Sequence, residues 1–150
     1  MGKNMRILVS SLFVLFLCGS CKYQIALSPP WQKTPHNGVV AFQTAAFQAK
    51  LDSARLNKRP VFLDFYTSWC GPCKLMDRET FTDQDVANLL NKEFISLKIN
   101  AEKGEGIALA KAYDVEVYPT LVFIDKDGEV VKREGLHSAG KFIKAAKRAL

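Results

Sequence analysis

The stretch VFLDFYTSWCGPCK, Val61 to Lys74, decides the fold. Its opening run, VFLDFY, is aromatic and aliphatic apart from Asp64, the composition of a strand buried on both faces. Cys70-Gly71-Pro72-Cys73 follows almost at once and is expected to open a helix reaching about Arg78. Unpaired N–H groups and the macrodipole at a helix start favour an anion. A thiol at Cys70 is therefore expected to ionise nearer neutrality than its usual pKa of about 8.5. The two-residue gap brings Cys73 close, one helical turn on, and Pro72 falls where a missing N–H costs little. On this reading Cys70 is exposed and Cys73 more buried. Asp64, the one charge in the strand, is expensive to bury without a task or a partner.

The other chemistry open to a CxxC pair is half of a zinc site. Zinc takes four ligands, or three plus water. His36 and His137 stand alone at no ligand spacing. A second CxxC, Cys18 to Cys21, lies in a segment expected to be cut during processing. The reading expects redox chemistry at Cys70 and Cys73, with no metal and no cofactor.

That amino-terminal segment differs in kind from the rest. Lys3 and Arg6 precede an apolar run, Ile7 to Leu17, and the small residues Gly19 and Ser20 follow. A basic region, a short apolar region and small residues make a secretory signal. The run is shorter than the roughly 20 residues a membrane-spanning helix needs. Cys21, after the small pair, resembles the lipidated cysteine of bacterial lipoproteins, although Cys18 stands where that pattern has Leu. Residues 1–20 are read as signal peptide, and 21–38, which carry three prolines, as a lipid-anchored tether. Ordinary cleavage nearby is the alternative.

The whole chain of 150 residues is 48% hydrophobic and 24% charged, with a net charge of +6. Such a composition fits a globular domain with a real core and excludes disorder and fibrous repeats. The basic residues are scattered, which speaks against nucleic acid. From residue 39 to 150 the pattern is regular. Val39 to Phe42 reads as a short strand, and Thr44 as the cap of a helix bearing Phe47, Leu51 and Ala54. After the 61–78 unit come a helix over 83–92 capped by Asp83, a strand over 94–100, and a turn at Gly104 and Gly106. Then follow a helix over 107–113, a strand over 120–125, a hairpin turn at Lys126-Asp127-Gly128 leading into 129–133, and a final helix over 141–150. The order implies an α/β fold with a mixed central sheet and helices on both faces.

FLDFYTSWCGPCK resembles the active-site segment of the thioredoxin family, and the element order from Val39 to Leu150 follows the thioredoxin fold. The stretch DRETFTDQDVANLL after the active-site helix is most similar to secreted thioredoxin-like domains and to the carboxy-terminal domain of the transmembrane reductase DsbD. The resemblance implies that Cys70 and Cys73 form a redox disulfide. It makes Asp64 the buried acid that takes a proton from the second cysteine, and Lys98 the lysine near it. Pro119 matches the cis-proline beside the cysteines. Trp69, Gly71, Pro72, Tyr118 and Pro119 are the expected substrate contacts. Tyr118 departs from the small or β-branched residue common before that proline.

These readings lead to a lipid-anchored thiol–disulfide reductase of the bacterial cell envelope, expected to be a monomer facing the periplasm or outer side of a membrane. Its substrates are protein disulfides, and it needs electrons from a membrane donor of the DsbD type. Oxidation or isomerisation of secreted proteins is the runner-up, and a non-catalytic binding or chaperone module the third reading.

Overall fold

Four strands form one sheet in the order β2-β1-β3-β4, built from β1 (Val61–Tyr66), β2 (Ile95–Asn100), β3 (Thr120–Ile124) and β4 (Val130–Glu134). The computed structural model describes residues 39–43, 46–135 and 137–150. β1 runs parallel to β2 and antiparallel to β3, and β3 runs antiparallel to β4, so the sheet is mixed. The parallel pair is joined by the helices α2 (Gly71–Glu79) and α3 (Gln84–Glu93). The turn at Asp125 to Glu129 closes the β3–β4 hairpin, with Gly128 at φ +94°.

Helices cover both faces of the sheet. Residues of α2, α3 and α5 (Ala139–Ala146) pack with Phe62, Leu121 and Phe123 on one face. Residues of α1 (Phe47–Leu56) and α4 (Glu105–Ala112) pack with Val61, Leu63, Phe65, Leu97 and Val122 on the other. Alternation along β1 therefore sends Asp64 to the same face as Phe62, the face that α2 covers. Burial on both sides explains why VFLDFY reads as a nearly continuous apolar run.

The helix starts are set in different ways. Asp83 Oδ1 accepts the N–H groups of Asp85 and Val86, each at 3.0 Å, and starts α3 where the sequence predicts. α1 is capped from a distance instead. Its first residue, Phe47, donates its N–H to Glu105 Oε1 of α4 at 3.0 Å. The last helix begins earlier than expected, at Ala139, and finishes as a 3₁₀ turn over Lys147–Ala149.

One expected element does not form. Val39 to Phe42 is not a strand, and only Gln43 makes an isolated parallel bridge, to Leu97. The reason is where its donors go. Val40 N–H bonds to Phe81 O and Ala41 N–H to Asn91 Oδ1, so this segment is tied to loop and helix groups instead of to a ladder. The expectations for residues 1–38, including the signal, the tether and Cys21, and for Thr44 as a cap, lie outside the described residues.

Candidate active site

Three loops meet at one end of the sheet: the one leaving β1, the one leaving β2, and the one entering β3. Cys70 stands in the first of these as the N-cap of α2, in extended backbone geometry, with Pro72 in the first turn. Cys70 and Cys73 are joined in a disulfide, their Cα atoms 5.4 Å apart. The Cys70 Sγ also accepts the Cys73 N–H at 3.1 Å. That bond puts sulfur in the place a capping oxygen usually takes, so negative charge forming on Sγ meets an orphan helix donor directly.

The expected exposure of Cys70 does not hold. It is 3% exposed and Cys73 2%, so both sulfurs are buried in this oxidised state. The bond to Cys73 and the hydrogen bond from its backbone both draw the Cys70 sulfur in toward the helix. The residues beside it, Trp69, Gly71 and Pro72, are the exposed ones.

Asp64 lies on the α2-covered face at 1% exposure. Its Oδ2 accepts from Lys98 Nζ at 3.0 Å. Its Oδ1 is buried with no hydrogen-bond partner among the described residues. Burial pushes its pKa up to about 6, against the opposing pull of the Lys98 ammonium. Lys98 is half-buried and also bonds Asp77 of α2. Its Nζ sits 5.0 Å from the Tyr66 ring centroid and within 5.4 Å of those of Phe42 and Phe81. Burial pulls the lysine's pKa down, but the carboxylates of Asp64 and Asp77 outweigh it, and the net direction is up. The pairing of Asp64 with Lys98 expected from the sequence is present.

On the loop entering β3, the Tyr118–Pro119 peptide bond is cis. Thr120 pairs with Phe65, which places Pro119 opposite the exit of β1. Trp69 is 65% exposed, meets Tyr118 edge-on with centroids 5.9 Å apart, and donates its indole N–H to Glu102 Oε1 at 2.8 Å. Trp69 thus lies at the surface rather than in the core.

Sequence reasoning passed over Asp77 and Glu102. Asp77 follows Cys73 by four residues in α2 and so shares its helix face, a signal that was present in the spacing. Glu102 reaches Trp69 across 33 residues of chain, and nothing local announces that contact.

Two sulfurs joined across a single helical turn hold a two-electron oxidation that another dithiol can remove, which is the chemistry of thiol–disulfide exchange. The protein's family follows from comparison: residues 47–150 match the model of the thioredoxin-like domain, and the chain belongs to that family. Among curated proteins, the thiol:disulfide interchange protein DsbD of Ralstonia nicotianae is 34% identical over 118 residues, 74% of this chain and 19% of the relative. The chain thus spans about a fifth of the length of the curated relatives it matches. A Bacteroides thetaiotaomicron protein, assigned provisionally as a disulphide-isomerase, is 41% identical with a TM-score of 0.65, covering 75% of this chain and 93% of that one. The oxidised carboxy-terminal domain of Neisseria meningitidis DsbD is 29% identical with a TM-score of 0.61, covering 75% of this chain and all (100%) of that domain.

Proposed function

We propose that this protein reduces protein disulfides in the bacterial cell envelope, with Cys70 as nucleophile and Cys73 as resolving thiol. The observation that carries the reading is the Cys70 sulfur capping α2, bonded to Cys73 and receiving its N–H. In the reduced protein the Cys70 thiolate attacks one sulfur of a client disulfide. That S–S bond breaks, the client's other sulfur leaves as a thiolate, and a mixed disulfide forms. Asp64 takes the Cys73 proton on the oxygen that Lys98 leaves unbonded. The Cys73 thiolate then attacks Cys70 Sγ and expels the client's second sulfur. The client has gained two electrons and the protein ends with the Cys70–Cys73 bond. Trp69, Gly71, Pro72, Tyr118 and Pro119 border the route by which the client arrives.

A donor dithiol must then restore the pair. Likeness to the DsbD carboxy-terminal domain supports a membrane partner of the DsbD type. The basic-apolar-small pattern of residues 1–20 supports export, and Cys21 is the proposed lipid attachment, with 21–38 as tether to a thioredoxin-like domain over 39–150 acting as a monomer. No helix among the described residues is long and apolar enough to cross a membrane.

Isomerisation is the second reading, favoured by the 41% identity to the Bacteroides protein. Equilibration of the Cys70/Cys73 couple with glutathione separates the two. A midpoint near about −270 mV supports the reductase, and one near about −180 mV, the value for disulfide isomerase, supports isomerisation. A value near about −120 mV sinks the reductase and makes the protein an oxidant.

A further inference from the structure

The last helix sorts its residues by face. Phe142, Ala145, Ala146 and Ala149 are buried in the core beside Phe62 and Phe123. Helical spacing then turns Lys141, Lys144 and Arg148 outward along one stripe, and all three are exposed. Together with His137 and Ala145 they line a concavity of about 160 Å³. Lys147 is exposed beside them. None of these four cations is paired with a carboxylate among the described side chains. The distribution of charge sets this helix apart from the rest of the chain. Of the 21 lysines and arginines, Lys3 and Arg6 precede residue 20 and four stand between 141 and 148. Those that remain equal the chain's 15 acids in number, and no acid lies beyond Glu134. The whole positive excess of residues 21–150 is therefore carried by one side of one helix.

Resting on the proposed attachment of this chain at Cys21, we propose that the outer face of α5 docks the domain on an anionic phospholipid surface, with Lys141, Lys144, Lys147 and Arg148 against headgroup phosphates. Two observations select that occupant. Headgroups of this kind form a plane of negative charge, and a domain otherwise balanced in charge, with its excess cations on one exposed stripe, is complementary to such a plane. The eighteen links from Cys21 to Val39 span at most about 65 Å. An anchored domain thus stays beside the bilayer, where a weak charge contact is enough to seat it. The stripe also lies away from the chemistry. His137 O accepts the Thr80 hydroxyl at 2.9 Å beside the carboxy-terminal end of α2, whereas Cys70 caps the other end. The nine residues of α2 separate the two by about 14 Å. Seated on α5, the domain keeps its dithiol open to exported clients.

The test uses the full chain with Cys21→Ser, so that no lipid holds it, and sedimentation with vesicles. Vesicles of phosphatidylcholine alone set the baseline to which residues 1–20 contribute. Vesicles of phosphatidylcholine mixed with phosphatidylglycerol supply the anionic surface. At low salt the partition coefficient is expected to be at least about tenfold higher on the anionic vesicles. It should return to the baseline in about 1 M salt, where charges act over only about 3 Å. Combining Lys141→Gln, Lys144→Gln and Arg148→Gln should remove about tenfold or more of the gain. The same variant should reduce insulin in solution, with a dithiol as recycling reductant, at the rate of its parent, which shows that it folds. A control with Lys58→Gln, Lys103→Gln and Lys111→Gln, exposed lysines elsewhere, should keep the gain. Equal partition on the two kinds of vesicle overturns the proposal. So does a control that loses as much as the stripe variant, because net charge rather than this face would then govern binding. Either failure leaves the dithiol chemistry and the Cys21 attachment standing, since each is read by an assay of its own.

Discussion

Asp64 and Lys98 are register partners on adjacent parallel strands, and the lysine ammonium lies 3.0 Å from the aspartate Oδ2. The acid is fully buried while the lysine reaches outward, with 21% of its side chain exposed, to a second carboxylate on α2. One cation thus spans from a buried acid to a surface one. It leaves Asp64 Oδ1 without a hydrogen-bond partner among the described residues.

That arrangement gives a pH dependence with a definite sign. Burial raises the folded pKa of Asp64 from 3.8 to about 6, so the folded protein holds this proton more tightly than the unfolded chain. Its contribution to stability is whole below about pH 4 and is lost as pH rises through about 6. The full swing corresponds to about 3 kcal/mol. Asp64→Asn should therefore be more stable than wild type at pH 7.5, by about 1–3 kcal/mol, and close to it at pH 4. Urea unfolding at the two pH values measures this. An equal difference at both would show that Asp64 does not carry the effect.

The exchange order assigns different fates to the two cysteines. Cys73→Ala should retain attack by Cys70 but lose resolution, so mixed disulfides with clients accumulate. Cys70→Ala should trap none. Non-reducing electrophoresis with mass spectrometry of the trapped bands reads both. Equal trapping by the two variants would reverse or abolish the assigned roles. A pure binding module would keep its clients in both variants without any covalent bond.

Attachment to a membrane rests on Cys21 and is tested at the mature amino terminus. Mass spectrometry is expected to find a chain that begins at Cys21 and carries a diacylglyceryl group. Cys21→Ser should move the protein from the membrane fraction to the soluble one. A mature chain that still begins at Met1, or an unmodified Cys21, ends the lipoprotein proposal and leaves the dithiol chemistry untouched.

Much of the fold was legible because its signals are local. VFLDFY is buried on both faces and reads so, Asp83 caps where capping residues cap, and Phe47, Leu51 and Ala54 bury the helix face their spacing draws. The illegible parts depend on contacts between distant segments. Val40 and Ala41 look like strand residues, yet their donors are taken by Phe81 and Asn91. Glu105 caps α1 from another helix. At the site, WCGPC announces the dithiol. The burial of Cys70 comes with its bond to Cys73 and the backbone N–H its sulfur accepts, neither of which composition records, and Glu102 meets Trp69 only once the sheet has brought two loops together.

The turn that presents Glu102 is itself set by a close approach at Gly106. A Cβ on Gly106 would lie 1.9 Å from Asn100 O and 2.8 Å from its carbonyl carbon, both backbone atoms with no rotamer to yield. Gly106→Ala must therefore push α4 away from the end of β2. That opposes the gain of about 1 kcal/mol which alanine ordinarily brings to a helix. Overpacking of this kind costs about 1–3 kcal/mol, and backbone-on-backbone contact belongs at the upper end of that range. The variant should show a lower urea midpoint with an unchanged slope. Asn100 also anchors the Glu102 and Lys103 amides, so the displaced turn should release the Trp69 indole as well, seen as faster exchange of its N–H. A variant as stable as wild type would mean that α4 and β2 do not approach as closely as this geometry requires.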